Sequence, residues 1–198
     1  MSLSGWTPEN LLGLIAIFAT WVSFCWGLYE YGRQQRWQRT LQLTERIEAT
    51  FANHRARTAL MALEWIQRDI SLDSDAAQLL GSKTLKFNAS MLEEALAVPF
   101  FDTDKLEIVY LRDCFDELCR NIAIWQSFAQ SNLIPYKDYY PLVGYYCTLL
   151  SDENMKGQSV HMAFWGYVNS YYSSEEVGKF IKEVSNVHPA RRRYQSDW

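Results

Sequence analysis

LLGLIAIFATWVSFCWGL, Leu11 to Leu28, is a run of eighteen residues without a charge. At about 1.5 Å rise per residue, a helix over this run is about 27 Å long, close to the hydrocarbon thickness of a bilayer. The run predicts a transmembrane helix spanning about residues 11–31, started by Thr7 as N-cap and Pro8 at the first helical position. Residues 1–32 contain no Lys or Arg, which argues against the basic n-region of a cleaved signal peptide. Arg33, Arg36 and Arg39 follow the run, whereas the flank before it carries only Glu9. That asymmetry places the N-terminus outside and everything after residue 32 in the cytoplasm, with the three arginines against anionic lipid. Trp6, Tyr29, Tyr31 and Trp37 flank the span as interfacial anchors. The competing reading, a helix buried in a soluble core, explains the apolar run but not the lopsided flanks.

Small or weakly polar residues recur within the run at Gly13, Ala16, Thr20, Ser23 and Gly27. On a helix of 3.6 residues per turn they share one sector about 100° wide, with Leu14, Phe18, Trp21, Cys25 and Leu28 opposite. Lipid tails are as apolar as leucine, so membrane helices associate through close backbone approach and interhelical hydrogen bonds. The small stripe is therefore expected to be a contact face, and with one span per chain the partner is another chain. Glu30 and Gln34 continue the stripe past the membrane. A ring of such helices would gather carboxylates at a cytoplasmic pore mouth, which favours cations. A simple dimer, or a scatter of small residues without any interface, fits the same spacing.

Composition sets further bounds. The 198 residues suit one ordinary domain plus an appendage. A formal charge of −4 argues against a general nucleic-acid binder, and no direct nucleic-acid partner is expected. Cys25, Cys114, Cys119 and Cys147 form no Cys-x-x-Cys pair and have no histidine at zinc spacing, so reduced thiols are expected, with no metal and no cofactor. Residues 33–57 hold six Arg against two Glu, while 71–118 hold ten acidic residues against four basic ones. The first block fits anionic lipid. The sequence "HPARRRY" at 188–194 reads either as a phosphate contact for lipid or guide RNA or as part of a solvated basic tail, 189–198.

Beyond the span the pattern stays helical, with little of the alternation of half-buried strands. Helices are expected from about Arg33 to Ile70, around Ser90–Val98, and from a cap at Asp102 or Thr103 as far as "SNLIP" at 131–135. Pro141 should kink or restart the next helix, a loop is expected at 151–158, and two helices near 159–172 and 175–186 follow, the last capped by Ser173 or Ser174. The fold class is thus all-α: one N-terminal transmembrane helix in residues 1–32, then a cytoplasmic helical bundle over 33–188.

"LRDCFDELCRNIAIW" is where chemistry is sought. Arg120, Asn121 and the residue five after the arginine resemble the R-x4-H signature of HEPN ribonucleases, in which the resemblance implies Arg and His meeting at a dimer interface to cleave RNA. Here that last position is Trp125, and an indole cannot act as general acid or base near pH 7. The alternative is structural, with Arg120 paired to Asp116 or Glu117 one turn earlier and Trp125 in the core. No Gly-rich phosphate loop, nucleophile elbow or metal-spaced cluster is present.

One N-terminal membrane helix, an arginine-rich exit and a HEPN-like helical domain together resemble the small membrane accessory proteins of type VI-B CRISPR systems. The centre, "FDELCRNIAIWQSFAQSNLIPYKDYYPLVGYY", is also similar to uncharacterised bacterial membrane-anchored helical families. The first resemblance implies a homo-oligomeric, pore-forming effector of antiphage defence in a bacterial inner membrane, with a CRISPR effector or another defence protein as partner; no enzyme activity is expected, because Trp125 stands where the ribonuclease histidine would. A non-conducting membrane-tethered scaffold that recruits a partner through its bundle is the alternative.

Overall fold

The computed structural model describes residues 8–99, 104–151 and 158–187. Thr7, Trp6, Asp102, Thr103 and the basic tail lie outside the described residues. Packing divides the chain after Gln42, and each part is considered by itself.

The first part belongs to α1 (Pro8–Ala52), a single uninterrupted helix. It is long and apolar enough to cross a membrane, and none of its apolar window is buried. The second part begins where α1 first buries a side chain. Leu43, Ile47 and Thr50, spaced four and three apart, are all buried and so lie on one face of the helix.

The helix expected to run on to Ile70 is broken at Asn53. Its backbone is extended, and its side chain accepts from the amides of Arg55 and Ala56, capping α2 (His54–Trp65). Buried Ala56, Ala59 and Ala62 let α2 lie close against α5. α2 ends at Ile66, held in the left-handed region at φ 58°. A β-branched residue there is strained, and its half-buried side chain packing on the core offsets the strain.

Two strands follow that the sequence pattern did not reveal. β1 (Arg68–Ser71) pairs antiparallel with β2 (Thr84–Phe87), Ile70 opposite Leu85. Ile70, Leu85 and Phe87 face inward. Between them α3 (Ser74–Leu80) is capped by Asp73, which accepts from the amide of Ala76 at 2.8 Å, and it ends at Gly81, whose φ of 63° is open to glycine at no steric cost. Asn88 caps α4 (Ala89–Ala95) through the amide of Met91.

α5 (Leu106–Gln130) is the central helix; Lys105 occupies its cap position without a side-chain cap bond. Its inward stripe includes Tyr110, Cys114, Phe115, Leu118, Ile122 and Trp125, at the three-to-four-residue spacing of a helix buried on one side. α6 (Tyr136–Ser151) runs through Pro141, which does not restart it. Pro141 removes only the bond to the carbonyl of Lys137, an exposed residue whose carbonyl water can satisfy. Tyr140 folds back over Gly144, where an added Cβ would come within 2.7 Å of the ring.

α7 (Gln158–Tyr171) is followed by a π-helical turn at Ser174–Gly178 and then α8 (Lys179–Asn186), where one regular helix was expected. Ser173 supplies the cap, its Oγ accepting from the amide of Glu176 at 3.2 Å. α6 packs on α8, and α4 bridges α5 and α7. Among the described residues the architecture is a helical bundle with one small two-stranded sheet, which keeps the all-α class. Replacing Asn53 by Ala removes the cap of α2 and should destabilise the bundle by about 1–2 kcal/mol. The expected result in thermal unfolding is a midpoint lower by about 2–8 °C; an unchanged midpoint would show that the joint is held without the cap.

Candidate functional site

The predicted membrane contact face lies on the exposed part of α1. Thr20 Oγ1 donates to the Ala16 carbonyl at 2.8 Å, and Ser23 Oγ to that of Ala19 at 2.9 Å. Both hydroxyls are thus satisfied within the helix, as an apolar solvent demands. Gly13 and Gly27 have no atom within 4 Å of an added Cβ, so their backbones are open to close approach.

At the polar exit Glu30 does not stand alone. Arg33 Nη2 donates to its Oε1 at 2.7 Å, one turn on. Gln35 Nε2 donates to the Tyr31 hydroxyl at 2.7 Å, Arg39 Nη2 to Gln35 Oε1 at 3.3 Å and Thr40 Oγ1 to the Arg36 carbonyl at 3.0 Å. These bonds follow the i, i+3 and i, i+4 spacing of neighbours on a helix surface. Beside them lies an open groove of about 480 Å³, lined by Glu30, Arg33, Gln34, Trp37 and Gln38. The flanking charges place Arg33 against lipid and Trp37 at the interface; that both share a groove with Glu30 and Gln34 follows from the continuity of α1.

Arg120, Asn121 and Trp125 do not converge on a common site. Arg120 is exposed, and its guanidinium donates to Glu117 Oε2 at 2.8 Å. Trp125 is 4% exposed and packs against Phe180, with ring centroids 5.8 Å apart. Asn121 donates to the Glu117 carbonyl at 2.7 Å and to Oε1 at 3.2 Å, and it accepts from Thr50 Oγ1 at 3.1 Å. Asn53 Nδ2 also donates to Glu117 Oε1 at 3.2 Å. Glu117 therefore collects donors from Asn53, Arg120 and Asn121, and ties the α1–α2 break to α5. The grouping is a structural joint. Among the described residues no three His, Cys, Asp or Glu side chains are grouped to hold a metal ion.

Two clusters were not foreseen. Asp116 Oδ1 accepts from the hydroxyls of Tyr167 and Tyr172, the latter at 3.0 Å. Arg112 donates to the carbonyls of Ala95 and Ala97 at 2.8 and 3.3 Å and lies over the rings of Tyr167 and Tyr171, 5.0 and 4.8 Å from their centroids. Burial, and then the Asp116 carboxylate, push both phenols far above their ordinary range. They are held as hydrogen-bond donors. The second cluster surrounds His54. Nε2 lies 2.9 Å from the Ser71 carbonyl, so this nitrogen carries a hydrogen and donates, while Nδ1 lies 3.3 Å from the Tyr110 hydroxyl. Both clusters join residues about fifty apart in sequence or tie helix to strand, which single-helix spacing cannot show.

The three buried thiols are inert. Burial pushes Cys114 up to about 12 and drives Cys119 and Cys147 higher, so none is an activated nucleophile near neutrality. A group whose pKa is raised in the fold contributes stability fully below its unfolded pKa, and that stability drains away as pH climbs towards the folded value. The buried thiols and the phenols of Tyr139, Tyr167 and Tyr172, with ordinary values of 9.0 and 10.0, all act in this direction. In buffers from pH 7 upward these groups should leave the unfolding midpoint level until about pH 9 and lower it steeply beyond about pH 10. A midpoint unmoved at pH 11 would contradict the burial of these groups.

No protein-family model matches the chain, and no curated protein or solved structure is significantly similar to it.

Proposed function

We propose that the chain is a single-span membrane protein that self-associates through the Gly13–Gly27 face of α1 and acts as a homo-oligomeric, pore-forming membrane effector, with its bundle in the cytoplasm. The observation that carries this reading is an apolar helix of membrane length with an unburied face of small residues, whose hydroxyls are already satisfied within the helix. Arg33, Arg36 and Arg39 just beyond the span support the orientation. A role in bacterial antiphage defence, alongside a CRISPR effector or another defence protein, rests on the resemblance to the type VI-B accessory proteins.

Catalysis has no place in this proposal. Arg120 is engaged by Glu117, and the position that would hold a ribonuclease histidine is a core tryptophan.

One observation favours a second reading, the non-conducting scaffold. Arg33 balances the charge of Glu30 on the same helix, and a ring of such pairs attracts cations less than a ring of bare carboxylates. Light scattering on the detergent-solubilised protein separates the cases when wild type is compared with the double variant Ala16→Leu, Thr20→Leu. The pore requires a discrete assembly well above a dimer that dissociates in the variant, followed by single-channel conductance in bilayers. An assembly without conductance leaves the scaffold; a monomer or dimer indifferent to both substitutions removes the pore.

A further inference from the structure

His54 is the first residue of α2, directly after the Asn53 joint. Its ring reaches β1, the cap of α3 and α5. Nε2 is settled, donating to the Ser71 carbonyl at 2.9 Å. Nδ1 is not: it lies 3.3 Å from the Tyr110 hydroxyl, 3.5 Å from Thr58 Oγ1 and 3.9 Å from Asp73 Oδ2. All three distances exceed the roughly 2.7–3.2 Å of a full N–H···O bond. Nδ1 therefore sits between partners without closing on any of them.

Those partners make opposite demands. In a neutral ring whose hydrogen is on Nε2, Nδ1 is an acceptor, which a hydroxyl satisfies and a carboxylate does not. In a doubly protonated ring Nδ1 is a donor, and the charged acceptor becomes the stronger partner. Tyr110 is fully buried, and burial drives its phenol far above the ordinary value of 10.0, so it keeps its proton throughout. The choice between Tyr110 and Asp73 is set by one proton on His54.

Asp73 is arranged to take that role. Its Oδ1 accepts from the Ala76 amide at 2.8 Å and caps α3, whereas Oδ2 is the oxygen beside His54. Closing the last gap of roughly 1 Å to a charge-assisted distance of about 2.8 Å leaves the cap bond in place. The other charges around the cluster are already matched: Arg55 on α2 and Asp113 on α5 pair with each other at 3.6 Å. Cys114 on α5, pushed by burial up to about 12, carries no charge near neutrality. Among the described residues Asp73 has no Lys or Arg partner, so it is the charge available to a protonated His54.

We propose that His54 is a proton-operated clasp. Neutral, its Nδ1 accepts from the Tyr110 hydroxyl; protonated, it donates to Asp73 Oδ2 and fastens the start of α3 to α2. Carboxylates ionise near pH 4 and imidazoles near pH 6.5, so both members of such a pair are charged between about pH 4.5 and 6. The stability it contributes is present in that window and drains away as rising pH takes the proton from the ring. Mild acidification thus tightens the bundle beside the break between α1 and α2.

The test is thermal unfolding of the full chain in nonionic detergent at pH 5.5 and 8.0, for wild type, His54→Gln, Asp73→Asn and the double variant. Glutamine keeps an N–H donor for Ser71 and takes up no proton, while asparagine keeps the capping oxygen of α3 and removes the charge. The other histidines titrate alike in all four chains and cancel in the double-mutant cycle. The expected result is a coupling between positions 54 and 73 of about 1–3 °C at pH 5.5 that falls away at pH 8.0. Coupling that is absent at pH 5.5, or no larger there than at pH 8.0, overturns the clasp. If His54→Gln does not fold, Asp73→Asn decides alone: its deficit against wild type must be larger at pH 5.5 than at pH 8.0, and a deficit that is constant or smaller at pH 5.5 overturns the proposal.

Discussion

The carboxylate of Glu117 is the tie on which the bundle depends. A long helix that enters a domain must stop, and stopping leaves amides and carbonyls that need partners. Here the stop is a single residue, Asn53, whose carbonyl-side oxygen caps α2 while its amide nitrogen reaches Glu117. Asn121 completes the arrangement from α5 and accepts from Thr50 at the end of α1. Three helices are thus fixed by one acid and two amides, with Arg120 balancing the charge at the solvent edge. Such a network stabilises when every member is satisfied and destabilises when one is lost, which makes the joint a specific place to end α1.

A second tie operates on the far side of α5. Asp116 gathers the phenols of Tyr167 and Tyr172, and Arg112, one turn away, closes on the carbonyls at the end of α4 and on the tyrosine rings. α5 therefore carries its polar groups in two seams, one toward α1–α2 and one toward α4 and α7, with an apolar stripe between. Arg120 and Asn121 belong to the first seam and Trp125 to the core.

The sequence was most legible where one helix decides the pattern. The charge-free run located the exposed part of α1, the apolar spacing located α5, and the turn before Arg120 offered Asp116 or Glu117 as its partner, of which Glu117 pairs. It was least legible where the deciding contact is distant. β1 buries one side chain and β2 two, too few to register as alternation. The break at Asn53 has no proline or glycine to mark it, because apolar spacing continues on both sides through Ile47 and Leu60. Asp116 meets its tyrosines across more than fifty residues. On the candidate contact face, residue spacing alone located the small stripe, but the groove at Trp37 needed the unbroken course of α1.

Cysteine placement has a practical corollary. Three of the four thiols are sealed in the bundle with their ionisation suppressed, and the fourth, Cys25, is exposed on the apolar run of α1, on the side away from the small residues. Nature has in effect left one addressable attachment point. Under the proposed transmembrane reading, a fluorophore or nitroxide placed there would report immersion in hydrocarbon without engineering any other cysteine.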